Sequence, residues 1–258
     1  MGSSIGRLLS TCTLALSLSP WATPGLAASP ATAPAEVVQV VKNIEAAANQ
    51  HDLDRVMQYY GEAFDSDTGF NYARLRQTLA DLWQHYQTLN YEIQLLAWEA
   101  TGPDSYTIET LTRVKGLEVR PDRQLHLTAE ITSRQSLLKG QVNYQQILSE
   151  TSRLTSGTHP PTVRLQLSPT LTPGQSFTFD AVVTEPLQGR SLMGAAVDEA
   201  VRAEDFLTPR PVALDVLSSG GLYKIGVAPP SPGNRWISAV LLREDGLVIE
   251  TRRVRVGS

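Results

Sequence analysis

Residues 40–64 read VVKNIEAAANQHDLDRVMQYYGEAF, and the fold turns on how they are divided. Val37, Val40, Val41, Ile44 and Ala48 recur at the three-and-four spacing of one helix face. Residues 49–52 break that pattern. Leu53, Val56, Met57 and Tyr60 then begin a second, shorter stripe. His51, Asp52 and Asp54 invite a chemical reading, but their spacing marks a helix handover. Asp52 is placed to cap the second helix by accepting backbone N–H bonds, and Asp54 sits in its first turn, where the helix dipole favours a negative charge. His51 is read as a solvated linker residue.

Downstream, GEAFDSDTG (61–69) reads as a turn-rich loop. Tyr72, Leu75, Leu79, Leu82, Trp83 and Tyr86 line one face of a third helix. From Leu89 the period changes to two, and four strands follow as an antiparallel meander to about residue 153. LTSGTHPP (154–161) is the best boundary, and beyond it short strands alternate with turn signals, the pattern of a small β-sandwich. Residues 191–206 fit either a strand and loop or a short helix.

The chain has 258 residues, 41% of them apolar, enough for a substantial core in one or two domains. The net charge of −4 and the lack of a basic stripe argue against nucleic acid as a partner. Arg7, the apolar run LLSTCTLALSLS and the small residues Gly25 and Ala27 have the order of a secretory signal peptide. Cleavage after Ala27 is expected, with residues 28–35 as a Pro- and Ala-rich tether, export to the periplasm or beyond, and no membrane span in the mature chain. Cleavage would also remove Cys12, the sole cysteine. LSTC is a loose lipobox, but the apolar run continues past Cys12, which disfavours a lipoprotein.

The helix–NQHDLD–helix start, a tryptophan-bearing third helix and a strand meander together resemble the nuclear transport factor 2-like superfamily, with its SnoaL-like and ketosteroid-isomerase-like branches. The likeness covers residues 36–153, and the C-terminal region resembles a small immunoglobulin-like sandwich. The resemblance implies an α+β protein: a cone of three helices on a curved four-stranded antiparallel sheet, followed by a linker (154–161) and an all-β sandwich-like domain (162–258). It also implies a pocket at the cone mouth and a sheet face that can pair in a homodimer.

Tyr60, Trp83, Tyr86 and Trp98 are the candidate cone lining, suited to a small hydrophobic ligand. The competing reading makes them core, in a cone filled by rings and free of a buried carboxylate. Glu109, Glu130 and Glu150 lie near Arg113, Arg134 and Arg153 along the strands; they read as a ladder of cross-strand ion pairs rather than as catalytic bases. Asp81 and His85 are four apart on a helix, and His126 begins a polar strand face. The histidines show no zinc-ligand spacing, and neither metal nor cofactor is expected. Arg252, Arg253 and Arg255 read as the charged guard of an edge strand, and Trp236 as sandwich core.

No acid–base pair stands out. The sequence therefore favours an exported, non-catalytic binding protein whose partner is a small hydrophobic ligand or an envelope protein. The alternative is a SnoaL-like isomerase, cyclase or dehydratase acting by proton transfer.

Overall fold

The computed structural model describes residues 28–205, 211–217 and 220–257. The expected signal peptide, with Cys12, lies outside them. Helix α1 spans Ala35–Asn49 and α2 only Leu53–Met57. Asp52 Oδ1 accepts from the Arg55 N–H at 3.0 Å and so starts α2 as the sequence suggests. His51, between the helices, takes φ +53°, the left-handed conformation that lets the chain reverse there. Strand β1 (Tyr60–Ser66) follows, then α3 (Tyr72–His85), capped by Asn71. The stretch expected as a loop after Tyr60 is thus largely strand. Its alternation is short and mixed with acids, and β1 forms because β5 offers it a parallel partner.

Strands β2 (Thr88–Gly102), β3 (Ser105–Val119), β4 (Gln124–Leu138) and β5 (Gln141–Gly157) form the antiparallel meander. The rest comprises β6 (Val163–Gln166), β7 (Thr170–Leu171), β8 (Ser176–Val183), β9 (Met193–Ala200), β10 (Asp215–Val216), β11 (Gly221–Val227), β12 (Gly233–Arg243) and β13 (Gly246–Val256). A 3-10 turn, Ala203–Asp205, follows β9, which settles residues 193–205 as strand, then turn.

The expected cone on a four-stranded sheet, followed by a separate sandwich, is not what forms. One ten-stranded sheet runs β10-β9-β12-β13-β5-β4-β3-β2, with β1 added on β5 and β7 on β13; β11, β8 and β6 make a second, three-stranded sheet. The reason is the length of β5. One of its edges carries β4 throughout. Its other edge pairs with β1 at Val142–Gln145 and with β13 at Thr151–Gly157. Residues 154–157, read from sequence as linker, still belong to this strand. A free strand edge is a template for pairing, and β13 occupies it.

The covers lie on opposite faces of the continuous sheet. Following the register, Glu92, Arg113, Glu130, Thr151 and Arg252 share one row and one face. On that face β13 also places Val248, Val254 and Val256, which pack with Phe179, Ala181 and Leu222 of the small sheet. The other face carries Ile93, Ile108 and Trp98, which pack with Val37, Val40 and Val41 of α1 and Phe64 of β1. Because side chains alternate along a strand, each end of the sheet has a different dry face.

Helix α1 also closes the β2 edge. Asn49 accepts from the Tyr91 N–H and donates to the Tyr91 carbonyl, both at 2.8 Å, and Glu45 accepts from the Ile93 N–H. Residues 28–35, expected as a tether, continue this closure. Ala28 exchanges both backbone hydrogen bonds with Trp98, and the Trp98 indole N–H lies 3.2 Å from the Ser29 carbonyl and from Thr32 Oγ1. Among the described residues, no helix is long and apolar enough to cross a membrane.

Candidate functional site

The four aromatics do not converge on one cavity. Tyr60 meets Phe64 edge-on at 5.1 Å, and burial pushes its hydroxyl up to about 12. Trp83 shares Tyr60's neighbours Ala47, Ala48 and Val56, stacks on His51 at 5.2 Å, and donates its indole N–H to Tyr91 Oη at 3.0 Å. His51 is therefore half-buried, and its Nε2 has no hydrogen-bond partner. Tyr86 lies over Gly116, where a Cβ would come within 2.9 Å of the ring. Burial, and then the charge of Glu118, raises the Tyr86 pKa. Trp98 sits against the N-terminal segment, its ring 6.3 Å from Tyr106. Tyr60 bridges two apolar clusters, sharing one with Trp83 and the other with Trp98.

The carboxylates divide into two kinds. Glu92–Arg113 (3.1 Å), Arg113–Glu130 (3.0 Å) and Glu109–Arg134 (2.7 Å) form a ladder across β2, β3 and β4. Glu92 and Glu130 are well exposed there, so screening leaves each pair little weight. This outer face is charged and threonine-rich, unlike the apolar centre of an obligate dimer interface. A shallow cleft of about 260 Å³ lies on it, lined by Glu130, Thr151, Arg153, Glu250 and Arg252 among others. Glu250 is recessed beside Arg153, and desolvation raises its pKa above the usual carboxylate value.

Two further carboxylates are held on the helix-covered face, where none was expected. Glu118 is only 4% exposed. Its Oε2 lies 3.0 Å from His85 Nε2, and its Oε1 accepts from Arg120. His85 thus turns to Glu118, while Asp81, its expected helix neighbour, accepts from Gln77.

Glu150 is the second, and it lies where β5, β12 and β13 run side by side. Glu150 Oε2 accepts from Arg253 Nε at 2.9 Å and from the Trp236 indole N–H at 3.0 Å. Trp236 and Arg253 are register partners on β12 and β13. Asn234, two residues before Trp236 on the same face, donates to Asp67 Oδ2, while Asp67 Oδ1 accepts from the Ile147 N–H. Arg255, opposite Asn234, reaches the Ile147 carbonyl. The side chain of Arg253 is 5% exposed, yet its Nη1 has no partner, and neither has Asn234 Oδ1. Buried orphans of this kind are rare in native proteins and call for an account.

The sequence reading placed Trp236 in the core and Arg253 on a guarded edge. Alternation in TRRVRV does put Arg253 and Arg255 on one face and Val254 and Val256 on the other. Which face is dry depends on β13 pairing with β5, and no local signal carries that. Among the described residues, no group of three or more His, Cys, Asp and Glu side chains is arranged to hold a metal ion.

Residues 158–257 match the family model of a domain of unknown function, DUF8623. No curated protein matches the chain. Among solved structures, Bd1075 of Bdellovibrio bacteriovorus is 16% identical over 43% of this chain, with a TM-score of 0.31; the match spans 38% of Bd1075. A candidate scytalone dehydratase from Novosphingobium aromaticivorans is 6% identical, with a TM-score of 0.37, over 43% of this chain and 80% of that one. An LEH-like epoxide hydrolase of M. tuberculosis is 14% identical, with a TM-score of 0.30, over the same shares. At these scores these matches carry no activity, substrate or residue role across.

Proposed function

We propose that this chain is an exported binding protein without catalytic activity of its own. Its units are residues 36–153, related to the nuclear transport factor 2-like superfamily, and residues 162–258; the family match that begins at 158 supports this division. Its occupant is a small ligand or a protein of the cell envelope. The observation that carries the reading is the state of the helix-side carboxylates. Glu150 Oε2 already accepts two protein donors, and Glu118 is held between His85 and Arg120. Groups engaged in this way hold the scaffold rather than wait for a substrate proton.

The test is affinity capture with the mature protein from its own envelope fraction, followed by mass spectrometry for proteins and small molecules. Specific recovery of one species is expected, and recovery of nothing refutes binding. N-terminal sequencing of protein from the envelope fraction should begin at Ala28. Intact residues 1–27 on protein retained in the cytosol would refute export.

One observation favours the enzymatic alternative, proton transfer on a small hydrophobic substrate. Glu118 holds the half-exposed ring of His85 in a fixed orientation, as a catalytic base would be held. Deuterium exchange at the α-carbon of cyclic ketones, present in wild type and lost in His85→Ala, would establish that reading over ours.

A further inference from the structure

Strands β2, β10, β6 and β11 end the two sheets, and the first three are closed or short. Strand β2 is covered by α1 and Ala28, β10 has two residues and β6 has four. Strand β11 is different. It pairs with β8 along its whole length on one side, and among the described residues nothing pairs with the other. Its hydrogen-bonding phase is fixed at both ends. The Gly220 carbonyl accepts from the Val183 N–H, and the Ala228 N–H donates to the Gln175 carbonyl. Backbone groups alternate along an antiparallel strand. The even-numbered residues therefore address β8, while Tyr223, Ile225 and Val227 turn their N–H and C=O groups to the free edge. The same three side chains are 55%, 80% and 64% exposed. Native proteins guard a long edge with charges, proline or a bulge. Strand β11 has no proline and no bulge, and its one charge, Lys224, lies on the opposite face from the exposed row.

We propose that β11 pairs with β11 of a second copy of this chain, antiparallel about a two-fold axis at Ile225, joining the two small sheets edge to edge. The strand is self-complementary in that register. Ile225 opposes its own copy, and Tyr223 opposes Val227 of the second copy. Each of these pairs has its backbone groups at the free edge and can exchange both hydrogen bonds. On the outer face the opposed side chains are all apolar, an aromatic ring against a β-branched chain and isoleucine against isoleucine. Charge selects this register over its neighbour. An axis at Lys224 would set two ammonium groups directly opposite, at the close spacing of a non-hydrogen-bonded pair. With the axis at Ile225, Lys224 opposes Gly226, which carries neither charge nor side chain. Area sets the strength. Weighted by their exposure, the three side chains present roughly 350 Å² per copy, the size of patch that marks an interaction site on a monomer. Pairing through the edge covers part of that surface, less than a standard interface, so the dimer is weak and concentration-dependent. The two-fold also closes the assembly, because pairing occupies this edge in both copies.

Sedimentation equilibrium of the mature protein, carried into the high micromolar range, tests this. A monomer–dimer equilibrium is expected. Ile225→Lys places two ammonium groups on the axis and should weaken the dimer about tenfold or more. Circular dichroism should show that variant folded; if it is not, cysteine cross-linking decides. With cleavage after Ala27 the mature chain has no cysteine. Residues opposed on the axis have Cα atoms about 5.5 Å apart, within disulfide reach. Ile225→Cys should therefore form a covalent dimer under mild oxidation. Val227→Cys should not, because its two copies lie about 13 Å apart along the strands. A monomer at every concentration, growth beyond the dimer, an undiminished dimer in folded Ile225→Lys, or cross-linking through Val227→Cys but not Ile225→Cys would each overturn the proposal.

Discussion

The sharpest perturbation of this structure is Glu150→Ala. Glu150 and Arg253 have side chains only 13% and 5% exposed, and the bond between them joins β5 to β13. Removing the carboxylate strands a guanidinium that already has one unsatisfied nitrogen, and it takes the acceptor from the Trp236 indole N–H. Breaking a buried pair from one side costs about 3–5 kcal/mol, because the remaining charge stays buried without its partner. Domain stabilities run to about 5–15 kcal/mol, so this is a large share. Urea denaturation followed by tryptophan fluorescence and by circular dichroism measures the loss. Both probes should report one transition, since the halves share a strand. Glu92→Ala provides the contrast on the same sheet. Its side chain is 69% exposed beside Arg113, and its loss should cost less than about 1 kcal/mol. Replacing both partners, Glu150→Leu with Arg253→Met, should recover most of the stability lost in Glu150→Ala. A cost below about 1 kcal/mol for Glu150→Ala would place the pair in the weak, solvated class and refute the reasoning.

Other substitutions probe the remaining supports. Asp52→Ala removes the cap of α2 and should cost about 1 kcal/mol in the same denaturation assay. Asn49→Ala strips two hydrogen bonds from the edge of β2, and should cost about 1–3 kcal/mol and increase aggregation seen by light scattering. Gly157 has φ +96°, and a Cβ there would lie 2.5 Å from the Asp245 carbonyl oxygen; Gly157→Ala should cost more than about 2 kcal/mol or prevent soluble expression. Glu250 has a folded pKa raised mainly by desolvation. Its contribution is fully present below the unfolded value near 4.5 and is lost as pH rises through the folded value. Glu250→Gln should therefore flatten that pH dependence, and an unchanged profile would count against the recessed carboxylate.

Local patterns in the sequence were enough for the helices and the meander. The three-and-four spacing of the valines placed α1, Asp52 marked the start of α2, and the stripe from Tyr72 to Tyr86 gave α3, because amphipathic stripes and caps are written in neighbouring residues. Period-two alternation likewise placed β2 to β5 and gave the Glu109–Arg134 and Arg113–Glu130 pairs of the ladder, but Glu150 and Arg153, expected in the same ladder, pair instead with Arg253 and Glu250 of β13. Strand β1 was missed because a short strand with two acids has little pattern of its own.

Tertiary structure alone decided what those elements became. Ser156 and Gly157 look like linker in sequence, yet they extend β5 far enough for β13 to add to its edge. That pairing joined an expected cone and sandwich into one sheet. It also chose which face of TRRVRV is dry, and so turned Arg253 from an edge guard into a buried cation. Glu150 and Trp236 are 86 residues apart, and Asp67 and Asn234 are 167 apart. Local propensity can bring a residue to a strand and to one side of it. Only the register between distant strands, set by which backbone edges remain unpaired, decides which side chains meet.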